Sequence, residues 1–280
     1  MADNKPTVHS FGLGTSGGKF SSGYGASYGT VSTSMGTAPK PAPTPAAPAT
    51  PDAIAQLFER AMNAHKAGRL NEAATGYQQV LAADANHADA NHLFGMLYYQ
   101  QGQCDKALAF LQRAIAQRQS ADYLGHLGAV YMALNRQAEA EQAYRQALAL
   151  KPDNPGANYN LGVLCQGQQR WGDAEKAYRA ELALDGNDAD SLYNLVGVLM
   201  AQGKAQQAES FASKLVALAP QDWRGHACLG QAKARLGQFR DAETALQRAI
   251  AFGNAAGLST GSRCATAQRR GAAGAAPSHS

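Results

Sequence analysis

Residues 121–154 read ADYLGHLGAVYMALNRQAEAEQAYRQALALKPDN, from Ala121 to Asn154. Leu127-Gly128 of this stretch returns as Leu161-Gly162 and again as Leu229-Gly230. Tyr144, Ala147 and Pro152 have partial echoes in Tyr178, Glu181 and Gly186, and in Leu215 and Pro220. The spacing, about 34 residues, is that of a stacked array of small helical units rather than of a globule built around one cleft.

Working outward, the period places six units at 54–87, 88–120, 121–154, 155–188, 189–222 and 223–254. Each holds two helical patterns separated by a break, at Gly68, Gly102, Asn135, Gln169, Gly203 or Gly237, residues suited to a helix end or turn. Pro152 and Pro220 stand after second helices, where a proline ends the helix without losing an internal bond. Asp153 and Asp222 are placed to cap the next helices.

Within the units the recurring residues have packing reasons. A small residue in the first helix, Ala61, Gly95, Gly128, Gly162 or Gly230, lets the second helix approach. Ala73, Ala107, Ala140, Ala174, Ala208 and Ala242 serve the same contact from the second helix. Four residues later, Tyr77, Leu111, Tyr144, Tyr178 and Leu246 fill the space between helices, since three-, four- and seven-residue spacings share one helical face. Unit five departs from this, with Val196 for the glycine and Ala212 for the large residue, a swap that roughly conserves volume. Trp171 and Phe239 hold one place just after the turn and are expected to pack between helices.

The flanks differ in kind. Residues 1–37 are a Gly/Ser-rich stretch with too little apolar material to offset the entropy of ordering, and are expected to be disordered. Residues 38–52 form a Pro/Ala-rich linker favouring extended polyproline II. The array occupies 53–254, and 255–280 is expected to be a disordered tail.

Charge and cysteine usage exclude several functions. The net charge is +4, yet 53–254 is balanced, with 19 Lys+Arg and 19 Asp+Glu. No basic stripe for phosphate backbones is visible, and no nucleic-acid partner is expected. The four cysteines, at 104, 165, 228 and 264, lack the close spacing of zinc or redox motifs. Neither a signal-peptide core nor an apolar run long enough to cross a bilayer occurs, so membrane insertion is not expected and a cytoplasmic protein is.

Taken together, the Leu-Gly pairs, the paired alanines and the large residues resemble tetratricopeptide repeats, over roughly 200 of the 280 residues. The resemblance implies an all-α fold, a right-handed α-solenoid of about six tandem helix-turn-helix units. Unit one, with Arg60-Ala61 in place of Leu-Gly, is a degenerate first repeat or an end cap. In this family first helices line the concave surface. That implies a peptide-binding groove of His92, Tyr99, His126, Met132, Tyr159, Asn160, Gln166, Tyr193, Asn194, Met200, Arg224 and Arg235, flanked by Phe58, Glu59, Met62, Leu93, Met96 and Gln231. Such a lining is mostly uncharged. Amides can bond a peptide backbone without reading its side chains, and Met and Tyr offer adaptable contact area.

Two subfamilies can be compared residue by residue. Asn160 and Asn194, each in Tyr-Asn-Leu, resemble the asparagine ladder of protein O-linked N-acetylglucosamine transferases, but Glu59, Leu93, His126 and Cys228 break the ladder elsewhere. The Lys/Asn/Arg clamp that grips acidic chaperone tails is not matched: Phe58, Met62, Leu93, Asp122 and His126 hold its places. His65, His87 and His92 sit on different segments without a completing thiol or carboxylate, and read as surface histidines rather than a metal site. Cys104 and Cys165 fall at packing places. No catalytic constellation, metal site or cofactor site is visible, and GLGTSGG near the start lacks both the lysine spacing of a P-loop and a preceding strand.

The expected function is therefore a non-catalytic protein-interaction scaffold holding a protein or peptide segment in the groove. One alternative is the arm of a glycosyltransferase or other transferase. The 26 residues after the array are too few for a catalytic fold, so that reading implies a chain shortened relative to a longer one. The other is a self-assembling scaffold. No amphipathic helix is visible after Asn254 to cover unit six, which leaves self-association through that unit, cover by a partner, or a shortened chain.

Overall fold

The computed structural model describes residues 50–154 and 156–255. These form two compact bodies, 50–168 and 169–255. The segments expected to be disordered, 1–37 and 255–280, lie outside the described residues except for Ala255, which ends the last helix, and the linker lies outside up to residue 49.

The first body holds α1 (Pro51–Lys66), α2 (Leu70–Ala83), α3 (Ala88–Gln100), α4 (Cys104–Gln117), α5 (Ala121–Ala133), α6 (Gln137–Leu150) and α7 (Ala157–Gly167). The second holds α8 (Trp171–Leu184), α9 (Ala189–Ala201), α10 (Ala205–Leu218), α11 (Trp223–Arg235) and α12 (Phe239–Ala255). No strand occurs among the described residues. The fourth sequence unit is divided, α7 belonging to the first body and α8 to the second.

Six backbone inversions set the helix-turn-helix units. Positive φ occurs at Gly68 (73°), Gly102 (74°), Asn135 (58°), Gln169 (59°), Gly203 (75°) and Gly237 (77°), the six breaks read from the sequence. The residue after the inversion donates its N–H back across the turn: Arg69 to Ala64 O at 2.9 Å, Arg136 to Tyr131 O at 2.8 Å, Lys204 to Leu199 O at 2.9 Å. That bond satisfies a carbonyl the helix end would otherwise leave open. Glycine takes the left-handed conformation freely and asparagine readily, whereas Gln169 holds it at a steric cost.

Helix starts are capped unevenly. Asp222 accepts from Arg224 N at 2.9 Å, as expected. Asp188 and His87 cap α9 and α3 through Ser191 N (3.2 Å) and Ala90 N (3.2 Å). Asp153 does not cap α7: Gly156, at φ 74°, occupies the N-cap instead. At the other boundary, α1 begins inside the expected linker, with Pro51 in its first turn and Thr50 accepting from Ala53 N. A proline there loses no helical bond.

The cores follow the small-against-large pattern. A Cβ on Gly128 would stand 2.6 Å from a ring carbon of Tyr144, and one on Gly230 would stand 2.6 Å from Leu246 Cγ. One on Gly95 would stand 3.2 Å from Leu111 Cγ. Glycine thus admits the large side chain sixteen residues later in each pair. Ala73, Ala107, Ala140, Ala174, Ala208 and Ala242 are all buried. In unit five both Val196 and Ala212 are buried, as the swap of sizes expects. Burying Leu111 or Tyr144, 0% and 1% exposed, contributes about 1.5–3 kcal/mol each. Cys165 is buried as expected and Cys104 is half-buried.

Two expectations need correction. Phe239 is 71% exposed rather than packed between helices, because no described residue covers that face of α12; Trp171 is half-buried. His92 is not a surface histidine: α3 sets it against α5, where it is buried.

Candidate functional site

The first helices of the units carry the expected groove residues, and they divide by burial. In the first body His92, Tyr159 and Asn160 are buried, while Tyr99, His126, Met132 and Gln166 are half-buried. In the second, Met200 is buried, Tyr193, Asn194 and Arg224 are half-buried, and Arg235 is exposed. Four of the expected groove residues are therefore packing residues first. A two-residue shift around a helix moves a side chain some 200°, so short sequence patterns separate inner wall from inter-repeat seam poorly. Asn160 and Asn194 belong to different bodies.

In the first body, His92 on α3 meets His126 on α5, the next first helix. The His92 ring stacks on Tyr123 (4.3 Å between centroids, 24°), and its Nε2 lies 2.7 Å from His126 Nδ1. Such a bond needs one nitrogen unprotonated. Burial pushes both pKa values down, His92 well below 6.5 and His126 to about 4, the nearby Asp122 carboxylate only partly offsetting this for His126. Burial also lowers His65, whose ring nitrogens lie 3.1 Å from Tyr77 Oη and 3.4 Å from Gln100 Oε1.

A polar clamp between successive first helices was not foreseen. Asp89 accepts from the Tyr123 hydroxyl and pairs with Arg118. Asp122 accepts from Asn154 Nδ2 at 2.8 Å. In the second body Asp190 meets Arg224 at 3.3 Å, and Asp222 holds the same guanidinium at 2.7 Å. Arg224 is thereby raised in pKa, chiefly by its bond to Asp222, and lies over the Tyr193 ring at 5.7 Å. It works as part of an inter-repeat clamp, not as a free groove cation. The signal was present in the sequence: aspartate stands at the second helical position of α1, α3, α5 and α9, as Asp52, Asp89, Asp122 and Asp190.

In the second body four glycines have open space where a Cβ would stand, Gly172, Gly197, Gly203 and Gly237, and one of them lies mid-helix. Gly197 sits mid-helix in α9, and no atom lies within 4 Å of where its Cβ would be. It occupies the place held elsewhere by Met62, Met96, Ala129, Val163 and Gln231. Glycine inside a helix costs about 1 kcal/mol relative to alanine, and crowding does not explain this one. Asn194, a turn earlier on α9, is half-buried, and Gln231 on the contacting helix α11 is exposed. A partner's main chain could approach the α9 backbone there. Cys228, on α11, is buried, and burial pushes its thiol up to about 12, so it is unreactive packing. Among the described residues no group of three or more His, Cys, Asp or Glu side chains could hold a metal ion. No helix among them is long and apolar enough to cross a membrane.

Family comparison agrees with this geometry. A tetratricopeptide repeat model matches residues 58–123 and 92–155. The model of the middle TPR-like domain of cilia and flagella-associated protein 70 matches 124–256. The chain belongs to the tetratricopeptide repeat family. Among solved structures, this repeat chain is similar to YrrB, described as a TPR protein with an unusual peptide-binding site: 20% identity, 63% of this chain, 91% of that one, TM-score 0.57. It is similar to PilW, a type IV pilus biogenesis factor, at 20% identity over 74% of this chain and 95% of that one, TM-score 0.63. Pseudomonas aeruginosa PilF matches at 18% identity over 72% and 89%, TM-score 0.62. At these identities the likeness is one of fold. Among curated protein sequences none matches. The resemblance to the transferase asparagine ladder gains no support from any of these matches.

Proposed function

We propose that the protein is an interaction scaffold that binds an extended segment of a partner protein across the first helices of its repeats, with the α9–α11 face of the second body as the main seat. The tetratricopeptide fold supports protein–protein interaction in general. The observation that carries the finer reading is the open place at Gly197 beside Asn194 and Gln231. A peptide main chain entering there meets the exposed Gln231 amide, able to donate and accept, without selecting its side chains. Exposed Arg235 at the end of α11 would favour an acidic residue at one end of that segment. In the first body, half-buried Tyr99, Met132 and Gln166 offer a separate adaptable surface. A preformed rigid face avoids ordering entropy on the scaffold's side. YrrB, by its description, has a peptide-binding site on a similar fold. A purely self-assembling role is favoured by one observation only, the apolar face of α12.

The test is selection of random displayed peptides on the full chain, followed by titration of an enriched peptide against Gly197→Arg. Filling the opening should weaken binding about tenfold or more, a loss of about 1.4 kcal/mol, with the helical circular dichroism unchanged. Failure to enrich any peptide, or equal affinity for the folded variant, overturns the reading.

A further inference from the structure

His92 on α3 and His126 on α5 are joined ring to ring. Their centroids lie 4.9 Å apart with the planes 25° from parallel, and Nε2 of His92 lies 2.7 Å from Nδ1 of His126. Rings so nearly coplanar and so close at two nitrogens meet edge to edge, and each of these nitrogens aims its lone pair or its hydrogen at the other. Tyr123, 3% exposed, stacks on His92 and fixes that ring. Burial lowers both pKa values, so at neutral pH the rings are uncharged and no proton competes for their lone pairs. Neutral imidazoles facing each other across a helix seam are ready metal ligands.

A third donor stands on α3. Met96 follows His92 by four residues, on the same helical face, and is 7% exposed. Long side chains on a helix lean towards the preceding turn, which carries the Met96 thioether towards His92. No third His, Cys, Asp or Glu completes a set among the described residues, so the donors are two imidazoles and a thioether, without an anion. Such a set selects a soft monovalent ion, above all Cu(I), over Zn(II). Charge favours the same choice. Arg118, paired with Asp89, opposes a cation at His92, while the Asp122 carboxylate favours one at His126. These surroundings offset at most a single positive charge, and a buried divalent ion would be left uncompensated.

The geometry points to a Cu(I) site made by His92 Nε2, His126 Nδ1 and the Met96 thioether sulfur, and it does not rest on the peptide reading. A metal–imidazole bond is about 2 Å, so the two nitrogens must part by about 1 Å. His126 is only half-buried, and its exposed side lets the ring turn. The hydrogen between the rings moves to the far nitrogen of its own imidazole, so both ligands stay neutral and no proton is released.

The test is anaerobic titration of the full chain with Cu(I) held by bicinchoninate, after iodoacetamide has blocked the reactive thiols; Cys165 and Cys228 are buried. One Cu(I) per chain should be withdrawn from the chelator, with the ring nitrogen NMR signals of His92 and His126 shifted and that of His87 in place. Met96→Leu, which conserves volume, and His126→Asn should each weaken Cu(I) binding tenfold or more, with the helical circular dichroism unchanged. A chain that withdraws no Cu(I), or one whose His92 and His126 signals stay where they were, overturns the inference. So does a folded Met96→Leu or His126→Asn protein that binds as the parent does, or Zn(II) binding as tight as that of Cu(I).

Discussion

Two glycine-to-alanine substitutions should change stability in opposite directions. At Gly128 the added methyl would meet three Tyr144 ring carbons at 2.6, 2.7 and 2.9 Å. Ordinary carbon–carbon contact is about 3.5–4.0 Å, so about 1 Å of overlap must be relieved. Tyr144 is 1% exposed, its ring has no free space to swing into, and relief requires α5 and α6 to separate. Overpacking of this kind costs about 1–3 kcal/mol, here at the upper end. Helix propensity returns about 1 kcal/mol, leaving Gly128→Ala less stable by about 1–2 kcal/mol. At Gly197 the propensity gain stands alone, since nothing lies within 4 Å of the new methyl. Gly197→Ala should therefore be more stable by about 0.5–1 kcal/mol. Urea titration followed by circular dichroism reads both, and hydrogen exchange resolved by peptide separates the α5–α6 region from α9 in case the array does not unfold in one step. Equal midpoints for the two variants, or a Gly128→Ala protein as stable as the parent, would refute the claim that Tyr144 occupies the glycine's side-chain space.

Two further outcomes rest on the same packing and charge arrangement. Histidine pKa values lowered in the folded state mean that the unfolded chain binds more protons, so stability is complete above the unfolded value of about 6.5 and declines as pH falls towards the folded value of about 4 for His126. The loss, on the order of 2–3 kcal/mol for His126, should appear as a falling urea midpoint between about pH 7 and 5, above the range where carboxylates titrate; a flat profile there, or one that His126→Asn does not flatten, counts against it. In unit five, Val196→Gly and Ala212→Tyr should each destabilise alone, by a cavity and by overpacking, and together should restore the glycine–tyrosine pairing with a favourable coupling of about 1–3 kcal/mol in a double-mutant cycle; additive losses would show that the two places do not share one space.

Much of the fold could be read from the chain because each repeat constrains the next. Asn135 and Gln169 look unlike glycine, yet the register placed them at turns, and the backbone inverts at both. Val196 and Ala212 each look anomalous alone and become intelligible only as a pair. The face assignments were less legible. His92 and Asn160 sit on first helices as the family pattern requires, but each is turned into the seam between helices, a rotation that a pattern of polar and apolar letters does not encode. The clamp of Asp89, Arg118 and Tyr123 joins residues 29 and 34 positions apart, and only the repeat register could have linked them. Phe239 was misplaced for a different reason: analogy with Trp171 assumed a following helix to pack against, and exposure depends on the neighbour rather than on the residue.

The place shared by Met62, Met96, Ala129, Val163, Gly197 and Gln231 is buried at Met96 and Ala129 and exposed at Gln231, so its surroundings change along the array. Where residues pack between helices, a change in volume must be answered across the seam, and the double-mutant cycle at Val196 and Ala212 tests that exchange. At the shared place the side chain ranges from methionine to nothing, and at Gly197 no neighbour has grown to fill the space. A mid-helix glycine with an empty surround is a stability cost of about 1 kcal/mol without a packing return. Retaining it makes physical sense if the space is used by something outside the helix pair. That is why the opening on α9, rather than the more numerous aromatic residues of the array, is the feature on which the binding reading stands or falls.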